Sequence, residues 1–247
     1  LEEKNMNANT PTQKSPSQAD TAAGIRKRAT QIVFQLVLQG VILFGGSGQF
    51  DWGMAWILLG VNVAFITINT AVILRIDPEL IAERAEIKED AKRWDRPMAG
   101  IVSAYGPLSG LLVAALDRRW MWSPPIHLNV QLIALAIVTL GYFLWGWAMA
   151  SNRFFAGLVR IQKERGHTVA TGGPYRFVRH PGYAGMTLFT LLTPFVLGSF
   201  WALIPAGITM VALIIRTALE DKTLRGELPG YADYAQQVRF RLLPGIW

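Results

Sequence analysis

Residues 183–215 read YAGMTLFTLLTPFVLGSFWALIPAGITMVALII, a run of 33 residues without a charge. As one α-helix it would be about 50 Å long, well beyond the ~30 Å hydrocarbon core of a bilayer. Gly198-Ser199-Phe200 divides it, with Pro194 and Pro205 on either side. The run therefore predicts a tight helical hairpin of two short helices, each of roughly 16 residues or about 24 Å. Short helices leave room for a pocket near one membrane interface.

The same pattern extends outward. Segments 31–50, 52–74, 97–116, 127–152 and 180–215 each lack Asp, Glu, Lys and Arg. They predict spans at about 29–46, 52–74, 97–116 and 127–150 before the hairpin, because a helix of about 20 apolar residues crosses a bilayer. Gly45, Gly46 and Gly48 predict a short turn after the first span. Gly100, Gly106, Pro107 and Gly110 predict close helix packing and a kink in the third. The loop DRRWMWSPP (117–125) carries Trp120 and Trp122, as an interfacial loop does. Half of the chain (51%) is hydrophobic and 17% is charged, against roughly 25% in an average soluble domain. That composition argues against a water-soluble enzyme.

Charge orients the spans. Loops 75–96 and 151–182 carry six Lys or Arg each, while the opposite loops carry Arg118 and Arg119 alone. Positive loops stay cytoplasmic, so the N-terminus, both long loops and the C-terminus are expected there. Two termini on one side require an even number of crossings. The fold expected is therefore all-α and membrane-integral, with about six transmembrane helices. The last two form the hairpin, and the cytoplasmic loops and a C-terminal helix form a cofactor pocket. Residues 1–24 are polar and poor in apolar side chains, which predicts a disordered tail. Residues 25–126 form the N-terminal helices and their loop, and 127–247 the region expected to carry the chemistry.

Several chemistries are excluded by composition. There is no Cys, so thiol nucleophiles, disulfides and thiolate metal centres are out. The three His are too few for a histidine-rich di-iron site, and no metal is expected. The net charge of +7 follows the loop bias, and no basic soluble module points to nucleic acid.

Three charged clusters remain. In DPELIAERAEIKEDAKRWDRP (77–97), Asp77 is placed to cap a helix that opens at Pro78. Glu79–Glu83, Arg84–Lys88, Glu86–Asp90 and Lys88–Lys92 are like-charged at i,i+4, and only Glu89–Arg93 is opposite. Either this is a solvated interfacial helix, or Lys92, Arg93, Trp94 and Asp95 form part of a lid over a pocket. The second cluster, TGGPYRFVRHPGYAG (171–185), brings Tyr175, Arg176, Arg179 and His180 to a helix opening at Pro181. It suits an anionic group of a polar cofactor, or else lipid headgroups with His180 as a cap. The third places Glu220 and Asp221 on a helix leaving the membrane, with Glu220 four residues from Arg216. They are a surface pair, or they hold a cationic centre or a ribose.

GPYRFVRHPGYAG, a helical hairpin, Arg-Thr-x-x-Glu-Asp and GYxxYxxxVxxRxLP together resemble the isoprenylcysteine carboxyl methyltransferase family. The wider group includes membrane phospholipid and thiol methyltransferases. The resemblance covers roughly 130–247, and DPELIAERA…KRWDR is similar to bacterial members, implying an inner-membrane protein. It implies S-adenosylmethionine held on the cytoplasmic side and a small lipophilic acceptor entering from the surrounding lipids. Tyr175, Arg176, His180, Pro181 and Tyr183 fall in the family's cofactor motif, with Glu220 beside them. Arg179, Glu220, Asp221 and Arg241 become the expected catalytic set. The acidic pair departs from the family's usual Glu-Glu. The alternatives are an NADPH-dependent reductase of the membrane sterol type, which usually has more spans, and a non-enzymatic scaffold or transporter. A transporter would be expected to carry an ionisable group in mid-membrane.

The charge bias has a direct test. A reporter fused after Trp247 or inserted near Lys88 should report the cytoplasm, and one near Ser123 the opposite side. A cytoplasmic signal at Ser123 would contradict six crossings.

Overall fold

The computed structural model describes residues 18–86 and 88–247. The first part of the expected tail, 1–17, lies outside the described residues. Among the described residues the regular structure is helical. Helix α1 (Gln18–Gly40) widens into a π turn at Val41–Gly45, and α2 (Gly53–Ile76) returns to α3 (Pro78–Glu83). Helix α4 (Asp95–Gly100) passes through a second π turn, Ile101–Tyr105, into α5 (Gly106–Trp120). Then come α6 (Leu128–Ala150), α7 (Pro181–Val196), α8 (Leu203–Glu227) and α9 (Tyr231–Gln237).

Among the described residues, five helical stretches are long and apolar enough to cross a membrane: Ala19–Gly45, Gly53–Ile76, Asp95–Trp120, Leu128–Ala150 and Leu203–Glu227. Their outer faces leave large apolar side chains exposed, among them Phe34, Ile68, Ile133, Phe143 and Ile208. Such a surface suits hydrocarbon as solvent. Pro107 has no N–H for the carbonyl four residues back, and the helix widens into the π turn just before it.

Three expectations are revised. Helix α1 begins at Gln18, so 18–24 are helical instead of part of a disordered tail. Gly24 lies where an added Cβ would meet the Ala82 side chain at 2.7 Å, so this end of α1 is packed on α3. The hairpin breaks where Gly198 predicted, at a positive φ of 75°. Its arms are unequal, however, with 16 residues in α7 and 25 in α8. Arg216 does not end α8, because its guanidinium is neutralised inside the protein. Helix α7 also lies most closely on α6, not on α8. The reason is glycine: a Cβ on Gly141 would stand 2.8 Å from the Gly185 carbonyl, and one on Gly185 2.9 Å from the Trp145 nitrogen.

The two ends of the bundle are fastened differently. At one end, Asp117 accepts the Ser123 N–H at 2.7 Å and hydroxyls from Ser123 and Ser199, both at 2.5 Å. This joins the turn after α5 to the turn between α7 and α8. At the other end, α3, the 151–180 segment and the C-terminal residues are held by ion pairs. Arg160 reaches Glu83 and Asp90 at 2.8 Å each and Glu164 at 2.5 Å. Lys92 reaches Glu227 at 2.7 Å. Helix α3 stops after six residues, and Glu83, Asp90 and Lys92, which lacked opposite charges at i,i+4, find them across the fold.

The α6–α7 contact gives a stability prediction. Gly185→Val should destabilise the detergent-solubilised protein by about 1–3 kcal/mol, the usual range for overpacking. Gly207→Ala, where nothing lies within 4 Å of an added Cβ, should cause no loss. Thermal unfolding of both variants compares them directly.

Candidate functional site

Two consecutive turns of α8 set up the site. Residues four apart share a helix face, while neighbours in sequence point about 100° apart. Arg216, Glu220 and Asp221 therefore reach three different partners.

Arg216 turns to α4. Its Nε donates to Asp95 Oδ1 at 2.7 Å and its Nη2 to Asp95 Oδ2 at 2.9 Å and to the Gly157 carbonyl at 2.9 Å. Asp95 is fully buried and also accepts the Val159 N–H at 2.7 Å. The surface pair Arg216–Glu220 offered by sequence spacing is not formed. Asp95 instead fastens α8 to the 151–180 segment.

Asp221 turns to the loop and the tail. Arg179 donates to it from Nε at 2.7 Å and from Nη2 at 3.1 Å. Arg225 and Arg241 each donate from Nε at 3.1 Å, and Tyr231 donates its hydroxyl at 3.0 Å. His180 Nε2 lies 3.4 Å from both Asp221 Oδ1 and the Tyr231 oxygen. The remaining fork of Arg179, Nη1, donates to the Val238 and Arg239 carbonyls at 2.8 and 2.7 Å. The backbone follows, with Arg179 N–H donating to Phe240 and His180 N–H to Arg241, both at 2.9 Å. Tyr234 completes the join by donating to the Tyr175 carbonyl at 2.7 Å.

Of the two adjacent acidic residues, Glu220 alone faces open space. It lines a cavity of about 850 Å³ together with Tyr175, Arg179, His180, Tyr183 and Tyr231. Its Oε2 accepts the Tyr183 hydroxyl at 2.5 Å. Tyr183 stacks on His180 at 5.8 Å, and the Arg216 guanidinium lies 5.3 Å from its ring centre. Asn152 donates to the Tyr175 hydroxyl at 3.1 Å. Burial raises Tyr175, Tyr231 and Tyr234 above the usual phenol range, so they stay neutral. The opposite walls come from α1 and α2, through Gln35, Gln39, Asn62 and Asn69, so the cavity draws on both sides of the 126/127 boundary.

Arg84 was not singled out in the sequence, yet it lines the same cavity. It lies 5.3 Å from the Trp145 ring centre and 5.4 Å from that of Phe155, and its Nη1 donates to the Phe155 carbonyl at 3.0 Å. Burial, with the neighbouring Arg28 and Arg216 charges, lowers its guanidinium to about 9, still protonated at neutral pH.

The sequence-predicted residues thus divide. Tyr175, Arg179, His180, Tyr183 and Glu220 line the cavity. Arg241 sits behind them on Asp221, which is itself buried. Pro181 is buried at the first position of α7, and Arg176 is exposed outside the cavity. Lys92, Arg93, Trp94 and Asp95 do not line it either, so the lid reading gives way to Asp95 as a buried anchor. Among the described residues no three His, Asp or Glu gather as a metal site requires. The exposed wall of the cavity suits a cationic, partly aromatic cofactor: one carboxylate, a neighbouring imidazole and several phenols.

Asp95→Asn and Asp221→Asn should each destabilise the fold by about 3–5 kcal/mol, since each strands a buried arginine. Glu220→Gln should cost less than about 1 kcal/mol, because the amide oxygen still accepts from Tyr183. Denaturant unfolding of the three variants checks the order.

Known proteins share this segment. Residues 132–226 match the isoprenylcysteine carboxyl methyltransferase family model, which takes in α7, α8 and the 151–180 segment. A protein-S-isoprenylcysteine O-methyltransferase of Schizosaccharomyces pombe is 35% identical over 71 residues, 28% of this chain and 30% of that protein. A probable enzyme of the same name from Oryza sativa subsp. indica is 33% identical over 88 residues, 35% of this chain and 42% of that protein. The matched segments therefore span less than half the length of these two eukaryotic relatives. A solved structure of the eukaryotic intramembrane Ras methyltransferase, also an isoprenylcysteine carboxyl methyltransferase, has a TM-score of 0.47 and 16% identity. It covers 92% of this chain and 94% of that one. The C-terminal GYADYAQQVRFRLLP segment lies beyond the family match, and the resemblance read from 171–185, the helical turn and the acidic pair is borne out over 132–226.

Proposed function

We propose that this protein is an integral-membrane methyltransferase that uses S-adenosylmethionine to methylate the carboxylate of a small lipophilic acceptor of the isoprenylcysteine kind. One observation carries the reading. Within the segment that matches the family, Glu220 faces a large cavity, while its neighbour Asp221 is fully engaged by arginines. The donor supplies a methyl carbon on a sulfonium: an acceptor oxygen lone pair forms the new O–C bond as the C–S bond breaks, its electrons staying on sulfur.

The chain's own residues then have distinct tasks. Glu220 balances a positive centre in the cavity, and the Tyr183 hydroxyl fixes the direction of its carboxylate. His180, Tyr175 and Tyr231 form the polar wall beside it. Asp221 clamps Arg179 and Arg241, so that the 173–180 loop and the tail close over that wall. No residue has to remove a proton, because a carboxylate acceptor is already ionised. Rate enhancement then comes from positioning, which can supply roughly 7–11 kcal/mol. A reductase is not favoured, because the matching family and the relatives are methyltransferases.

The site is proposed to face the cytoplasm. The start of α1, the 77–94 and 151–180 segments and the C-terminal residues gather at one end of the bundle, the end that carries the excess of Lys and Arg. This supports six passages, with α7 as the short one.

Glu220→Gln should lower methyl transfer from S-adenosylmethionine at least a hundredfold while its melting temperature stays close to the parent's. The assay is transfer of labelled methyl to an S-farnesylated cysteine in detergent. A folded variant with near-normal turnover would remove Glu220 from the reaction, and a parent that binds NADPH but not S-adenosylmethionine would favour the reductase.

A further inference from the structure

The cavity contains a second charged region, contributed by the N-terminal half of the chain. Arg84 lies just beyond α3 and Arg28 lies on α1, and both line the cavity. Most arginines of the site are matched by carboxylates. Arg179 and Arg241 share Asp221, Arg216 holds Asp95, and Arg160 takes Glu83, Asp90 and Glu164.

Arg84 and Arg28 are not matched, and Arg96, which also lines the cavity, is exposed. Among the described residues neither Arg84 nor Arg28 forms an ion pair. Arg84 donates to a backbone carbonyl, and Arg28 donates to the Gln31 side chain at 3.2 Å. The nearest acidic residues in sequence are already engaged, Glu83 by Arg160 at 2.8 Å and Glu86 by Lys88 at 2.8 Å. The charges of Arg28 and Arg216 act on Arg84. Arg84 lines the same cavity as Tyr183 and Glu220. Its guanidinium is flanked by two aromatic rings that restrict it and shield it from water. An uncompensated guanidinium in the wall of a largely apolar cavity is unfavourable until an anion joins it. A carboxylate suits it best, because the planar fork offers two parallel donors.

We propose that Arg84, with Arg28 beside it, is the anchor for the anionic headgroup of an apolar ligand, namely the carboxylate of the methyl acceptor. This rests on the methyl-transfer reading for the ligand's identity and assigns its headgroup site, a role that Arg179 and Arg241 cannot fill while Asp221 holds them. Leu43, Leu58, Leu59, Ile66 and Leu111 line the rest of the cavity and can take the chain. Arg84 is a binding and positioning residue in this scheme. It selects the acid over the ester, because the methylated product has lost the charge that Arg84 holds.

The test is direct binding, which needs no turnover. Calorimetry on the full chain in detergent compares N-acetyl-S-farnesylcysteine, whose carboxylate is its single charge, with its carboxamide. The parent should bind the carboxylate at least tenfold more tightly. Arg84→Gln should lose at least tenfold of carboxylate affinity, leave the carboxamide within about twofold, and bind S-adenosylmethionine as the parent does. Arg84→Lys should restore most of the preference. Should Arg84→Gln fail to fold, Arg28→Gln should still weaken carboxylate binding two- to threefold without touching the carboxamide. Equal affinity of the parent for both probes, or a preference unchanged in Arg84→Gln, overturns the proposal. Failure of the parent to bind S-adenosylmethionine would instead sink the methyl-transfer reading, and the two probes would still report on Arg84.

Discussion

The Asp221 carboxylate is the point on which the site depends. Three guanidinium groups, a phenol and an imidazole approach one buried anion, and they come from the 173–180 loop, α8, α9 and the tail. Burying such a cluster carries a large desolvation penalty, so its value lies less in net stability than in uniqueness. Another placement of the tail would leave Arg179 or Asp221 unpaired in a low-dielectric interior. The loop that carries Tyr175 and His180 is thereby fixed to a C-terminal segment more than fifty residues away in sequence, through two backbone hydrogen bonds and the Arg179 fork.

The Arg216–Asp95 pair does for the α4 side what Asp221 does for the tail. Asp95 accepts from Arg216 through both oxygens and from the Val159 N–H, and it is fully buried outside the cavity. These two aspartates absorb the arginines of α8 and its surroundings. Glu220 remains as a carboxylate turned to the cavity, and Arg84 as a guanidinium without a carboxylate. Opposite charges on separate walls of one cavity can orient a pair of reactants, and the low dielectric makes each charge act more strongly than in water.

How much was legible in the sequence follows from the range of the forces involved. The spans were legible, because an apolar run of span length has few alternatives, and the turn at Gly198 fell where the glycine stood. The length of α8 was not. Arg216 looked like the end of a span, because nothing local indicates that Asp95, 121 residues earlier, neutralises it. The same distance hid the division between Glu220 and Asp221: i,i+4 spacing offered Arg216 to Glu220, and tertiary partners overrode it. One signal was available and pointed the right way. The poor i,i+4 pairing of 79–92 meant that those charges needed partners elsewhere, and Glu83 and Lys92 found Arg160 and Glu227. Arg84 stood in that same stretch, and its lack of a partner could be recognised only once the others had been assigned.

A reaction that joins a carboxylate to a sulfonium destroys two charges. Water stabilises the separated ions and so opposes it, whereas a cavity enclosed by helices removes that solvation and substitutes a few fixed groups. Held too strongly, those groups would restore the penalty that the cavity removes. Arg84 with Arg28 beside it on one wall and Glu220 on another is a smaller arrangement that can still orient both partners. On this view the saturation of Arg179, Arg216 and Arg241 by aspartates has a chemical consequence as well as a structural one. Under the proposed methyl transfer, it would keep three further cations from binding the acceptor oxygen and blunting its lone pair, and would leave the neutral ester with nothing in the cavity to hold it by charge.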